Sequence, residues 1–331
     1  MINTQAAIRF RRLGTLTIFA VYFVILVGGI VRASGAGMGC PDWPTCFGQW
    51  VPPTEESQLP ANYHEIYAER GYESTQFNPV KTWTEYTNRL VGVTVGFLIF
   101  LTVWASRLYL KTDRTVFYLS LSVFFLVGFQ GWLGSTVVAS NLKPIMITLH
   151  MLLALFIVAL LIYTIARSQR DFIKQIDTRG LPDKFKTVLI VAMVMTLLQV
   201  AMGTQVREAV DFISHEHAYI DRQFWRDDFP VIFYIHRSFS SIILFTNLWL
   251  VWKIYQSVEK KSILLRTGLV LVGLIVTAII AGVTLDRLGM PAVAQPVHLL
   301  MANLIFGAQF FLYICLSYSA NRPAILKPDH S

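Results

Sequence analysis

The sequence predicts an all-α polytopic membrane protein with eight transmembrane helices, arranged as two four-helix bundles in parallel repeat. Three observations predict it. The 331 residues are 54% hydrophobic and only 15% charged, against about 25% charged in ordinary globular domains. Eight stretches are long and apolar enough to cross a bilayer, which takes roughly 20 residues of helix. Polar residues at matching depths also recur at one fixed offset. This composition excludes a disordered chain or a collagen. Three cysteines are too few to staple a secreted domain of this length.

The spans fall at about 13–31, 90–110, 116–139, 145–166, 187–206, 232–252, 267–285 and 295–318. Arg9, Arg11 and Arg12 precede the first, as in a signal peptide. That span is too long for an h-region, however, and Gly39-Cys40-Pro41-Asp42 follows rather than an Ala-x-Ala cleavage site. It reads as a retained helix. With eight spans, both termini and the even-numbered connections share one side. That side carries 18 Lys+Arg and 6 Asp+Glu, a net +12, and the other carries 10 and 14, a net −4. Basic residues mark the cytoplasmic face, so both termini are expected there. The overall charge of +8 is then a topology signal, and no nucleic-acid partner is implied.

Two outer connections are long enough to carry structure. Residues 33–86 hold Pro52-Pro53, six Glu and the aromatics Trp43, Trp50, Tyr63, Tyr67 and Tyr72, while 207–231 hold His215, His217 and Trp225. Such segments can cap a pocket at the outer membrane surface or remain solvated loops.

The repeat is read from dipeptides. Asn88-Arg89 opens span two and His236-Arg237 opens span six, an offset of 148, and His150 and His298 in spans four and eight differ by the same 148. Span one ends Val-Gly-Gly-Ile-Val-Arg32, and span five ends Met-Gly-Thr-Gln-Val-Arg207. Both copies run in one direction, which divides the chain into 1–170 and 171–331.

Ionisable residues at membrane depth are costly and usually functional. His236 and His298 lie at matching depths of one bundle, as two axial ligands of a haem iron would. A lone membrane histidine has interhelical hydrogen bonding as its plainer role. Zinc would want further ligands nearby, and His215-Glu216-His217 is the weaker metal candidate. Gly28, Gly29, Gly128, Gly131, Gly134, Gly203 and Gly282 serve either close helix packing or room for a flat macrocycle. Arg89 and Arg237 can pair with propionates or anchor lipid phosphate.

Cys40 and Cys46 can close a disulfide in an oxidising compartment, as a staple or as a redox pair. Cys315 reads as a small buried residue. Thr82-x-x-Glu85 fits a capping box at the start of span two. Glu85 also lies three residues before Asn88, on the same helix face.

These residues resemble a known family, the haem A synthases. The segment Gly-Gly-Ile-Val-Arg32-Ala-Ser-Gly-Ala-Gly-Met-Gly-Cys40-Pro-Asp-Trp-Pro-Thr-Cys46-Phe-Gly carries the most specific part of the likeness. It continues through Trp83-Thr-Glu85-Tyr-Thr-Asn88-Arg89, Gly131-Trp-Leu-Gly-Ser-Thr, Thr148-Leu-His150-Met and His236-Arg237. The resemblance implies haem b in the C-terminal half and substrate haem O in the N-terminal half. It implies oxidation of a haem methyl to a formyl by successive hydroxylations, supplying haem A to terminal oxidases from the bacterial inner (cytoplasmic) membrane. His236 and His298 match the C-terminal haem ligands and His150 an N-terminal one. Glu85 matches a glutamate implicated in catalysis, and Cys40 with Cys46 the N-terminal cysteine pair.

Haem O synthase and the terminal-oxidase assembly machinery are the candidate partners the resemblance implies. The electron acceptor is unassigned, and a homo-oligomer is left open. Two features depart from the family: Asn88 replaces a histidine in Glu-x-x-His-Arg, and 207–231 contain no cysteine. The expectation is that His150 alone holds the substrate haem, with Asn88 facing an open iron position and His64 as the rival ligand. A di-haem electron-transfer cytochrome b and a haem O chaperone or transporter are the alternatives. A haem farnesyltransferase is disfavoured, because no paired Asp-x-x-x-Asp motif is present.

Overall fold

The computed structural model describes residues 4–216, 225 and 228–319. His217, His330 and the side chain of His215 lie outside the described residues. The eight long helices are α1 (Thr4–Ala33), α2 (Pro79–Ser106), α3 (Arg114–Ala139), α4 (Pro144–Arg167), α5 (Phe185–Glu216), α6 (Val231–Ser257), α7 (Ile263–Arg287) and α8 (Ala294–Ser319). Each is long and apolar enough to cross a membrane, and no strand is present among the described residues. The chain is a multi-pass membrane protein.

Three helices extend well past their apolar stretches: α1 starts nine residues early, at Thr4, and in α2 and α5 the excess matters for the site. The expected second span starts near 90, whereas α2 starts at Pro79. Asn78 accepts the Lys81 N–H at 3.1 Å, and proline fits the first helical turn because its missing N–H would be unpaired there. The expected capping box of Thr82 and Glu85 is therefore not formed. Thr82 lies inside the helix and donates to the Gly39 carbonyl at 2.8 Å. Likewise α5 runs about ten residues beyond its apolar stretch, to Glu216; helical hydrogen bonds continue past the apolar slab while polar side chains find partners there.

Consecutive helices pack side by side within 4–167 and again within 185–319. One helix breaks the symmetry. α8 lies against α7 and α5 of its own half and against α1 and α4 of the other, and half of its most apolar window is buried, against 17–28% elsewhere. Close approach to α1 is written in two glycines: a Cβ on Gly29 would stand 2.9 Å from Pro296, and one on Gly307 would overlap the Tyr22 hydroxyl. At the end away from residues 34–78, Asp113 receives both Arg167 (2.9 and 3.0 Å) and Arg170 (3.1 Å). This ties the α2–α3 connection to the end of α4.

A buried polar chain fixes α8 against α5 and α6. Thr196 donates to Gln309 Oε1 at 3.0 Å, and Gln309 Nε2 donates to Asn247 Oδ1 at 3.0 Å. Gln309 and Asn247 are fully buried, so no water can substitute. Gln309→Leu leaves Asn247 Oδ1 without a donor and is expected to destabilise the protein by about 1–3 kcal/mol, read as a lower thermal midpoint in detergent. An unchanged midpoint would show that the chain of bonds contributes nothing.

Candidate functional site

The segment 34–78 folds into a cap over the start of α2, and its interior explains the shape. Asp42 accepts Phe47 N–H at 2.6 Å and Gly48 N–H at 2.8 Å, and its carboxylate also takes the Thr45 hydroxyl. This closes a tight loop around the Cys40–Cys46 disulfide. Phe47 sits at the centre of Tyr63, Tyr67, Tyr72 and Phe77, with edge-to-face ring centroids 5.2–6.4 Å away. Tyr72 donates to the Met38 carbonyl at 2.9 Å. Burial raises its phenol well above the ordinary range, and nearby Glu85 adds to this, so it remains a donor. Gly39 has no alternative residue: a Cβ there would stand 2.5 Å from the Lys81 carbonyl oxygen.

Glu85 and Arg89 lock this cap to α2. Glu85 is 4% exposed; its Oε2 accepts Cys40 N–H at 2.9 Å and its Oε1 accepts Arg89 Nη2 at 2.6 Å. Arg89 donates onward to the carbonyls of Asp42 (2.8 Å), Thr45 (2.9 Å) and Cys40 (3.2 Å). Both Nη groups are thus spent on the cap, which leaves Arg89 little for a propionate. Both cysteines are fully buried and neither lines the cavity described below.

The four polar positions at matching depth each face a glycine of the preceding helix. A Cβ on Gly134, Gly203 or Gly282 would stand 3.2–3.3 Å from Cε1 of His150, His236 or His298, and one on Gly28 would stand 3.9 Å from Asn88 Oδ1. The glycines expected to serve either packing or accommodation therefore divide. Gly29 packs against α8, these four seat the polar side chains, and Gly128 and Gly131 border open space.

His236 and His298 have ring centroids 6.3 Å apart. An imidazole nitrogen binds a transition metal at about 2 Å, with the ring centre about 1 Å behind it, so two rings on one ion stand roughly 6 Å apart. The pair fits a single axially ligated iron. His298 Nδ1 is 2.8 Å from the Ala278 carbonyl. A carbonyl can only accept, so Nδ1 carries the proton and Nε2 offers its lone pair. Gln130 and Gln199 donate to the carbonyls of His150 and His236, both at 2.9 Å. Their Oε1 atoms, the Nδ1 atoms of His150 and His236, and Asn88 Oδ1 are buried without a partner. The two Nδ1 atoms lie toward the glycine helices, whereas Asn88 Oδ1 is an orphaned acceptor on a cavity-lining residue, as an absent partner would leave it. Arg237 is half-exposed, 3.9 Å from Asp286 and over the Tyr234 ring. No cluster of three metal-binding side chains exists among the described residues.

A cavity of about 1540 Å³ lies among the first four helices and is walled on one side by residues of α5 and α8; it is larger than common small-molecule pockets of about 300–1,000 Å³. His150 and Asn88 line it, with Glu85 and Arg89 at the cap end and Val21, Ile25, Val95 and Ile157 deeper in. His64 does not line it; its Nδ1 lies 2.7 Å from the Tyr72 carbonyl within the cap.

A family model described as cytochrome oxidase assembly protein matches residues 11–310. The chain belongs to that family. It is 33% identical to the haem A synthase of Shewanella oneidensis over 163 residues, which cover 49% of this chain and 47% of that protein. With the haem A synthase of Shouchella clausii it shares 31% over 142 residues, 42% and 39% of the two chains. These matches span less than half of either relative. With the haem A synthase of Brucella ovis it shares 23% over 342 residues, 94% and 91% of the two.

Within this family member, several site residues carry little signal in the sequence. Gln130 and Gln199 each lie four residues before a glycine that seats a histidine, a spacing visible only once the glycines are understood. Asp42 and Phe47 organise the cap, yet nothing marks them apart from other loop residues. Arg32 and Arg207 were legible only as repeat markers, and the structure brings both to one carboxylate, Asp211.

Proposed function

We propose that the chain is a haem A synthase, oxidising a methyl substituent of haem O to a formyl by successive hydroxylations in cytochrome oxidase biogenesis. One observation carries this reading: the two halves differ at one depth. In one half, two imidazoles face each other at the spacing of axial ligands. In the other, a single histidine and an amide border a large cavity. Paired imidazoles suit a cofactor that stays, haem b. One imidazole opposite a poor ligand suits a substrate that must leave.

When bound, haem b supplies one-electron transfer. The chain's own residues do the rest. His236 and His298 hold the cofactor, with Ala278 fixing the tautomer of His298, and Arg237 is the propionate partner on that side. His150 holds the substrate, and the Asn88 amide orients a water or small ligand opposite it. Glu85 has two bonds to its carboxylate, where an ionised carboxylate offers about four acceptor sites, and it borders the cavity; its role is to accept a proton at the substrate's edge. The residue 148 positions later is Phe233, so this carboxylate belongs to one half alone. Cys40 and Cys46 serve as the staple of the cap.

Both termini face the cytoplasm of a bacterial inner membrane, as the basic residues favour. The division at 170/171 is that of a duplicated four-helix unit, supported by the four polar side chains seated on glycines. A di-haem electron carrier would call for paired ligands in both halves, and a haem chaperone gives Glu85 no task.

Coexpression with a haem O-producing enzyme tests the function: extracted haem should contain haem A and haem O beside haem b, and haem b alone overturns the reading. In the same assay Glu85→Gln should retain haem b and lower haem A about 100-fold or more; an unchanged yield would reduce Glu85 to a structural clamp. Removing either axial ligand, by His236→Ala or His298→Ala, should abolish the six-coordinate low-spin haem b spectrum while the protein still inserts. Asn88→His should make the N-terminal haem six-coordinate and slower to exchange, with His64→Ala leaving its spectrum unchanged. A low-to-high-spin shift from His64→Ala alone would disprove the open position.

A further inference from the structure

Arg32 ends α1 one helical turn beyond Gly28, and Arg207 lies one turn beyond Gly203 on α5. One turn is about 5.4 Å of helix. The two side chains converge on Asp211, with Arg32 Nη2 2.9 Å from Oδ2 and Arg207 Nη2 2.7 Å from Oδ1. Arg207 Nη1 also donates to Gln295 Oε1 at 2.7 Å, and its Nε is a buried donor without a partner. Arg32, Arg207, Asp211 and Gln295 all line the large cavity.

We infer that Arg32 and Arg207 form the binding site for the propionate carboxylates of the substrate haem, with Asp211 as the bridge that holds the two guanidinium groups in place. This deepens the proposed function and rests on it. A haem ligated by His150 must stand with its plane across the axis from that imidazole to Asn88, and so lengthwise in the bundle. One edge then faces the cap and the other the apolar depth around Val21, Val95 and Ile157. Ionised carboxylates cannot go to the apolar edge. At the cap end Arg89 has committed both Nη groups to Glu85 and three backbone carbonyls. Arg32 and Arg207 retain donors, sit one turn beyond the level of the ligating positions, and come from helices of both halves. The planar guanidinium fork matches a carboxylate with two parallel hydrogen bonds. Glu208 also borders the cavity but is exposed, so solvent screens its charge.

The test uses the full-length protein carrying its resident haem b, titrated with haemin and with haemin dimethyl ester, whose propionates are uncharged. Absorbance reports occupancy of the second site. Wild type is expected to bind haemin at least about tenfold tighter than the ester, the scale of a charged hydrogen bond. The Arg32→Gln, Arg207→Gln pair should bind acid and ester alike while keeping the bis-imidazole spectrum of the first haem. If that pair fails to hold haem b, the Arg32→Lys, Arg207→Lys pair decides: it keeps the charges and should still prefer the acid, and equal binding there overturns the inference. An undiminished acid preference in the Gln pair overturns it too. A second haem that binds wild type without acid preference overturns this inference alone. No second haem in wild type overturns the site reading beneath it.

Discussion

The Glu85–Arg89 pair lies almost entirely out of water, with side chains 5% and 13% exposed, and a buried charge without a partner is strongly destabilising. Each partner therefore needs the other, and each also needs the backbone it bonds: the Cys40 N–H for Glu85, and the Cys40, Asp42 and Thr45 carbonyls for Arg89. The disulfide loop takes its place because those backbone groups must meet this pair. Thr82 and Gly39 complete the fit, one by its hydroxyl and the other by having no side chain. The cap in turn forms one wall of the cavity, through Trp43, Pro44 and Trp50. A charged pair on the second helix thus shapes one end of a chamber whose other walls are membrane-spanning helices.

The two halves present different side chains in one architecture, and few positions account for the difference. The glycine seats are shared, and so is the depth. What differs is His236 against Asn88 and Phe233 against Glu85, together with a long cap on one side. An imidazole can close a coordination sphere, whereas an amide cannot do so strongly but can hydrogen-bond what lies between.

The helices were legible because a bilayer imposes length and apolarity together, and eight such stretches leave few other folds. Their ends were not. The start of α2 at Pro79 depends on Asn78 and on a polar first turn that a hydropathy reading counts as loop. His236, His298 and His150 were legible because a polar residue inside an apolar span stands out and recurs at a fixed interval. The roles of Arg89 and the cysteine pair were less so. An arginine beside a ligand position reads as a propionate partner, and only the folded cap reveals that its donors are already engaged. The central place of α8 had no signal in the pattern, since its composition resembles that of its neighbours and its burial comes from where they pack.

That central place has a consequence for how the halves communicate. On α8, His298 belongs to the imidazole pair, while Gln295, Leu299 and Asn303, all within five residues of it, border the chamber of the other half. Two turns of one helix thus wall one compartment and carry a member of the imidazole pair of the other half. A shared rod cannot shift for one occupant only, and thermodynamic linkage is symmetrical: whatever free energy a ligand in the chamber transmits to the imidazole pair, a ligand at that pair returns in equal measure.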